Sequence, residues 1–164
     1  MLRRMAQVER LDGKLFGEDQ LCFGCGPKNP LGFRLEFEED GDSILTRFTP
    51  GPHHQGPPGV MHGGLVATVA DETAAWVLVG KLGKFGFTTS LEARYRRPVR
   101  LGVQTECRGW ITTGSRRVVR VRTAMSQAGQ ECSTADFTFA LLGRQAAEEL
   151  MGSKLPEEWS RFCR

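Results

Sequence analysis

One segment, residues 65–82, constrains the fold of this 164-residue chain more than any other. It is the only long stretch in which apolar residues recur at three- and four-residue steps, as on one face of an α-helix. Small residues fill most of its other positions, and a helix that is apolar or small nearly all round is normally buried. The segment therefore predicts a central helix with other elements packed around it. Its apolar stripe comprises Leu65, Val66, Val69, Thr73, Trp76, Val77 and Gly80.

Strand patterns flank this helix on both sides. Apolar and polar residues alternate in them, and Gly, Pro, Ser or Asp turns separate them, which is typical of antiparallel connections. Phe137 and Phe139 alternate with polar neighbours, so one face of the sheet needs an apolar cover. We therefore predict the α+β class, with an antiparallel sheet packed on one long helix. The predicted strands are residues 33–39, 43–48, 87–97, 103–113, 116–125 and 131–142.

The chain is predicted to form a single domain, residues 1–164, with its core at about residues 32–142. Residues 1–16 have a weak helical pattern, residues 17–32 are rich in turn formers, and residues 144–152 predict a short helix. No long apolar run and no signal-peptide pattern occur, so we expect a cytoplasmic protein with no membrane partner. The formal charge of +3, with arginines spread along the chain, gives no basis for a nucleic-acid partner.

Cysteine spacing argues against both a disulfide framework and a metal site. The chain has five cysteines, and only Cys22 and Cys25, in the sequence CFGCG, are closely spaced. A structural zinc site usually needs four ligands from two such turns, and no second CxxC and no nearby HxxxH occur. We therefore expect no metal and no cofactor, and interpret CFGCG as a tight turn whose thiols pack inward.

Asp71 and Glu72 are the only charged residues between Gly63 and Gly80, in the middle of the predicted helix. An ionised carboxylate in a buried environment costs several kcal/mol unless it is paired, and no Lys or Arg lies three or four residues away. Adjacent helical residues point about 100° apart, so the two side chains face different surroundings. One of them lining a cleft could act as a nucleophile or general base. An exposed acidic pair is the structural alternative.

His62, Gly63 and Gly64 precede the helix. Its first turn has free backbone N–H groups, and glycine lets a ligand approach them closely, as an oxyanion site requires. Asp71 lies about 12 Å further along the helix by helical rise, which is too far for one chain to supply both halves of a compact site. Two chains, each supplying one half, would remove that difficulty. A plain loop-to-helix junction is the alternative.

The segment GVMHGGLVATVADE resembles the signature of the hotdog-fold thioesterases, in particular the phenylacetate-degradation and 4-hydroxybenzoyl-CoA type branch. That signature has a carboxylate nine residues after the histidine. FTTSLEARYRRPVRLG and CFGCGPKNPLGFRLEF resemble other segments of the family, so the resemblance covers about residues 22–142. It implies a sheet wrapped around one helix, an acyl-CoA substrate, and a homodimer or homotetramer with active sites between subunits.

The resemblance also implies roles for individual residues. The Gly63 N–H would polarise the thioester carbonyl, and Asp71 of the facing subunit would act as general base or nucleophile. His62 would shape the loop or orient the substrate, and Thr88 would position water; a threonine in a strand can equally be a simple β-former. Glu72 follows the matching Asp71 directly, and some branches use Glu as the catalytic residue.

Further residues are predicted to bind the substrate. Gln55 lies near a position where related enzymes carry an amide facing the acyl group, and arginines suit the phosphates of coenzyme A. The arginines could instead protect a solvent-facing strand. The predicted substrate-binding residues are Gly64, Gln55, Glu72, Arg94, Arg96 and Arg97.

Hydrolysis of an acyl-CoA thioester is the predicted activity. A hotdog dehydratase of hydroxyacyl thioesters is a second hypothesis, but such sites pair a histidine with a carboxylate, and His62 lies at the helix entry. A non-catalytic acyl-CoA-binding hotdog protein is a third.

Overall fold

The computed structural model describes residues 11–163. Most of the weak helical pattern predicted for residues 1–16 lies outside this range. Its described end consists of a two-residue strand, β1 (Leu11–Asp12), and a 3-10 turn (Gly13–Phe16).

The predicted central helix is present as α1 (Gly63–Leu82) and starts two residues earlier than the apolar pattern. The His62 side chain caps its first turn. Gly83 ends it with φ of 59°, a left-handed conformation that glycine adopts without strain, and its N–H bonds the Leu78 and Val79 carbonyls. The predicted stripe is buried at Val66, Val69, Thr73, Trp76 and Val77, so helical periodicity identified the face that packs on the sheet.

A seven-stranded antiparallel sheet packs on α1. Its spatial order is β1-β2-β3-β5-β6-β7-β4, so the first strand after the helix lies at one edge of the sheet. Phe137 and Phe139 are buried on the helix-facing side, as their alternation predicted. The strands are β2 (Glu36–Asp40), β3 (Ser43–Phe48), β4 (Gly86–Tyr95), β5 (Thr105–Gly114), β6 (Val118–Gln127) and β7 (Gln130–Leu141).

The sheet lies very close to α1 where β5 carries Gly109. A Cβ atom at this position would lie 2.9 Å from Cγ2 of Val77 and 3.3 Å from Cγ2 of Thr73. Only a residue without a side chain lets the strand and the helix pack at this distance. The result is the predicted α+β architecture, a long helix wrapped by an antiparallel sheet.

Strand β2 begins at Glu36, although apolar alternation predicted a start at Phe33. Arg34 has φ of 53°, which is incompatible with extended backbone, and this residue separates Phe33 from the strand. The helix predicted at residues 144–152 is present as α2 (Arg144–Met151).

A third short helix, α3 (Glu157–Ser160), was not predicted. Its Trp159 indole N–H donates to the Phe16 carbonyl at 2.8 Å and joins the two ends of the described chain. Within residues 11–163, no helix combines the length and apolar character needed to cross a lipid bilayer.

Candidate active site

A β-bulge in the edge strand β4 determines which of its side chains face the helix. Thr88 pairs with Phe139 and Leu91 pairs with Phe137, while the register shifts by one residue between Thr88 and Ser90. Phe137 and Phe139 are buried under α1, and directly paired residues of antiparallel strands point to the same side of a sheet. Thr88 and Leu91 therefore both face the helix, which simple alternation along β4 would not allow.

Asp71 meets this bulged strand. The Thr88 hydroxyl donates a hydrogen bond of 2.7 Å to Oδ1 of Asp71. Burial raises the pKa of Asp71 above its usual value, and the hydrogen bond from Thr88 partly opposes that shift. No Lys, Arg or His lies within ion-pair distance of Asp71 in the described part of the chain. The carboxylate is therefore held in place by a neutral donor and is not neutralised by a cation.

Glu72 faces away from Asp71, as the helical geometry predicted. Its carboxylate accepts a hydrogen bond of 3.1 Å from the Trp76 indole N–H and lies 3.5 Å from Sγ of Cys22. Burial raises the pKa of Glu72 to about 7. The structure therefore places Glu72 in a second cluster, on the side of α1 that meets the CFGCG segment.

The entry to α1 presents one free backbone donor. The Gly64 N–H is bonded to Nδ1 of His62 at 3.0 Å, so that imidazole acts as the helix cap. The Gly63 N–H has no acceptor among residues 11–163, as expected for the first helical position, and Gly63 is exposed. An oxyanion donor is therefore available at Gly63, while the Gly64 N–H is already engaged.

Tyr95, a residue for which the sequence predicted no role, supports the same helix entry. Its hydroxyl donates to the Gly63 carbonyl at 2.9 Å, and its ring lies beside the Gly63 Cα. Strand β4 thus contacts α1 at two places, through Thr88 at Asp71 and through Tyr95 at Gly63. The bulge that brings both side chains to the helix side leaves no signal in the hydrophobic pattern.

Gln55 lies in the loop that leads to the helix. Its side-chain oxygen accepts a hydrogen bond of 3.1 Å from the Gly59 N–H, and its backbone forms an isolated bridge with Met61. The Gln55 side-chain amide thus stabilises the loop that positions His62. The backbone N–H of His62 donates to the His54 carbonyl at 2.8 Å.

The predicted arginine cluster lies at the end of β4 and is exposed. Arg94 pairs with Glu92 at 2.7 Å and Arg96 pairs with Glu131 at 3.1 Å. Arg97 donates to the Glu131 carbonyl at 2.9 Å. The register of β4 places Arg94 on the face opposite to Tyr95, so the structure does not bring it to Asp71 of the same chain.

Comparison with known proteins finds similarity to thioesterases. The profile of the thioesterase superfamily matches residues 58–133, which include the helix entry and Asp71. Acyl-coenzyme A thioesterase THEM4 of Xenopus laevis is 42% identical over 59 residues, or 36% of this chain and 26% of that relative. Its counterpart from Bos taurus is 34% identical over 97 residues, or 56% of this chain and 39% of the relative. The chain therefore aligns with well under half of the length of these curated relatives.

Solved structures share the fold. A thioesterase superfamily protein superposes with a TM-score of 0.67 at 28% identity, over 82% of this chain and 68% of that one. A hypothetical thioesterase from Streptococcus pneumoniae, crystallised with coenzyme A, has a TM-score of 0.61 at 19% identity over 65% of this chain and 87% of its own. A Streptococcus mutans protein bound to acetyl-CoA superposes with a TM-score of 0.61 at 18% identity, over 66% of this chain and 89% of its own. The predicted hotdog fold is confirmed.

Proposed function

We propose that the chain is a member of the thioesterase superfamily, whose profile matches residues 58–133, and that it hydrolyses acyl-CoA thioesters to a free acid and coenzyme A. One observation carries the proposal: the Asp71 carboxylate is partly buried, has no cationic partner among residues 11–163 and is oriented by the Thr88 hydroxyl at 2.7 Å. A carboxylate so placed is suited to proton transfer or nucleophilic attack. The names of the curated relatives and the coenzyme A bound to structural neighbours support the same chemistry.

In the general-base route, Asp71 takes a proton from water as the water oxygen bonds to the thioester carbon. The carbonyl oxygen becomes negative and is stabilised by the Gly63 N–H at the positive end of the α1 dipole. The tetrahedral intermediate then expels the coenzyme A thiolate, which the Asp71 carboxyl reprotonates. In the nucleophilic route, Asp71 itself attacks the carbonyl carbon and expels the coenzyme A thiolate, which takes a proton from solvent. Water then hydrolyses the resulting mixed anhydride, which releases the free acid and regenerates the Asp71 carboxylate.

Both routes need two copies of the chain. Gly63 and Asp71 are separated by about two turns of α1, or about 12 Å by helical rise. We therefore propose that Gly63 of one subunit and Asp71 of its partner form each site. Strand β4 supplies a suitable contact, because it is the terminal strand of the sheet and exposes Leu91 (45%) and Tyr95 (54%). Pairing through β4 gives a homodimer, and pairing of dimers gives a homotetramer.

Substrate contacts follow from this arrangement. Arg94, Arg96 and Arg97 bind coenzyme A phosphates. To do so, Arg94 and Arg96 give up their ion pairs with Glu92 and Glu131, and Arg97 gives up its hydrogen bond to the Glu131 carbonyl. Gly64 and the loop of Gln55 line the acyl end beside the helix entry. We assign the chain to the phenylacetate-degradation and 4-hydroxybenzoyl-CoA type branch. A dehydratase is less well supported, because the Nδ1 atom of His62 is engaged with the Gly64 N–H.

The test is release of coenzyme A, measured by chromatography, from short-chain, long-chain and aromatic acyl-CoAs. Asp71→Asn should lower kcat by about 10²- to 10⁴-fold, the usual contribution of a positioned acid–base group. Glu149→Gln, on the exposed face of α2 and outside both proposed sites, serves as the control and should keep most of the activity. Failure of the wild-type protein to release coenzyme A from any substrate refutes the activity. An active Asp71→Asn beside an inactive Glu72→Gln refutes the site.

A further inference from the structure

Apart from the candidate active site, the CFGCG segment and the helix bring three ionisable side chains together. The sulfur atoms of Cys22 and Cys25 and a carboxylate oxygen of Glu72 all lie within 4.8 Å of one another. The two carboxylate oxygens lie 3.5 and 3.7 Å from Sγ of Cys22. Within residues 11–163, no other cluster of three His, Cys, Asp or Glu side chains is as close.

The cluster contains acidic groups only. Cys25 is buried, and Cys22 and Glu72 are partly buried. Glu72 has no Lys or Arg partner in the described part of the chain; apart from the two thiols its donor is the Trp76 indole at 3.1 Å. Burial opposes the ionisation of Cys25 and Glu72 in this setting, whereas a bound divalent cation would make it favourable.

The backbone around Cys22 favours its thiolate form. The Cys25 thiol and the N–H groups of Cys25 and Gly24 point at the Cys22 sulfur and lower the pKa of Cys22, whereas the same thiol contact and burial raise the pKa of Cys25. The Gly26 N–H closes the turn on the Cys22 carbonyl at 2.8 Å. A Cβ atom on Gly24 would lie 2.4 Å from the Glu72 carboxyl group, so the turn touches that carboxylate as closely as glycine permits. Backbone donors aimed at a thiolate are the usual outer shell of a metal-bound cysteine.

One ligand distance matches a tetrahedral site. A zinc ion with Zn–S of about 2.3 Å and Zn–O of about 2.0–2.2 Å separates a sulfur ligand from an oxygen ligand by about 3.5–3.7 Å. The observed distance from Sγ of Cys22 to Oε2 of Glu72 is 3.5 Å.

We propose that Cys22, Cys25 and Glu72 bind a thiophilic divalent cation, with Zn²⁺ as the best match to two thiolates and one carboxylate. The open side of the site faces an adjoining cavity of about 90 Å³, which is lined mainly by apolar side chains and by Gln20. The ion fastens the turn-rich segment before β2 to α1, one residue from Asp71. The sequence predicted no metal because no further ligands lie near CFGCG in the chain. Glu72 is 50 residues from Cys22, so only the folded chain brings it to the two thiols.

Metal titration tests this proposal without any acyl-CoA. Reduced, metal-free protein is titrated with Co²⁺, and we expect thiolate-to-cobalt charge-transfer absorption that saturates at one equivalent and is removed by Zn²⁺. Glu72→Gln keeps both thiols and should weaken Co²⁺ binding by about tenfold or more. The double variant Cys22→Ser/Cys25→Ser should lose the absorption. Cys132→Ser, which removes a buried thiol of β7, is the matched control and should titrate like the wild type.

Elemental analysis of protein purified without added metal should find about one zinc per chain, and its chelation should lower Tm. Circular dichroism establishes that each variant is folded. The proposal is overturned if reduced wild-type protein shows no charge-transfer absorption, or if the double variant retains it. It is also overturned if the cysteines are recovered as a Cys22–Cys25 disulfide from protein kept under reducing conditions. Each result stands whether or not the protein hydrolyses thioesters.

Discussion

Replacing Thr88 by valine isolates the contact on which the proposed mechanism depends. Valine has nearly the same shape, so the change removes the donor of the 2.7 Å hydrogen bond to Asp71 and little else. Hydrogen bonds to charged groups contribute about 1.5–3 kcal/mol. Thr88 is exposed in the single chain, so the lower end of that range applies. A loss of about 1.5 kcal/mol in the transition state lowers kcat by about tenfold.

The assay is steady-state release of coenzyme A with the best substrate of the panel. We expect kcat to fall while KM changes little, because Thr88 orients Asp71 and does not itself hold the substrate. Thr88→Ser keeps the hydroxyl and should restore most of the rate. Thr89→Val removes the neighbouring hydroxyl, which bonds the Thr138 carbonyl at 3.0 Å, and is the matched control. Wild-type kcat in Thr88→Val, or an equal loss in Thr89→Val, would refute the positioning role.

Three further predictions concern assembly and packing. Leu91→Arg places a charge at an exposed position of the edge strand β4, where the proposed dimer covers it, and sedimentation should show a monomer without activity. Leu150→Arg, on the exposed face of α2, is the control and should leave the assembly intact. Gly109→Ala forces a methyl group to within 2.9 Å of Val77 and should lower the free energy of unfolding by about 1–3 kcal/mol in urea titrations. Phe137→Ala removes a core side chain that is 1% exposed and should lower the free energy of unfolding by about 3–5 kcal/mol in the same assay. A decrease below about 1 kcal/mol would contradict the placement of Phe137 in the core.

Much of the fold can be predicted from the sequence, because the patterns that indicate helices and strands lie within single elements. The helical repeat of residues 65–82 and the alternation around Phe137 follow from the geometry of single elements, so they identify α1, β7 and their buried faces. Strand boundaries were less accurate where one residue broke the pattern. Arg34 illustrates this, because its left-handed backbone, which no hydrophobic count detects, delays the start of β2 to Glu36.

The candidate site was only partly readable. The sequence places a carboxylate in an apolar helix, and the angle between adjacent helical residues establishes that Asp71 and Glu72 point to different surroundings. Those surroundings come from distant parts of the chain: Thr88 is 17 residues from Asp71, and Cys22 is 50 residues from Glu72. Neither contact leaves a signal in the hydrophobic pattern of the chain.

The sequence by itself therefore determined the class of the fold, its central helix and the presence of two unneutralised carboxylates on that helix. Tertiary structure decided what each carboxylate meets. The bulge in β4 turns Thr88 toward Asp71 and Tyr95 toward Gly63, and the CFGCG turn closes on Glu72. The physical reason is the sequence separation of the residues that interact. Periodicity along one element specifies which face of that element is buried. The partner of a side chain depends instead on how strands pair and how loops fold back across the helix.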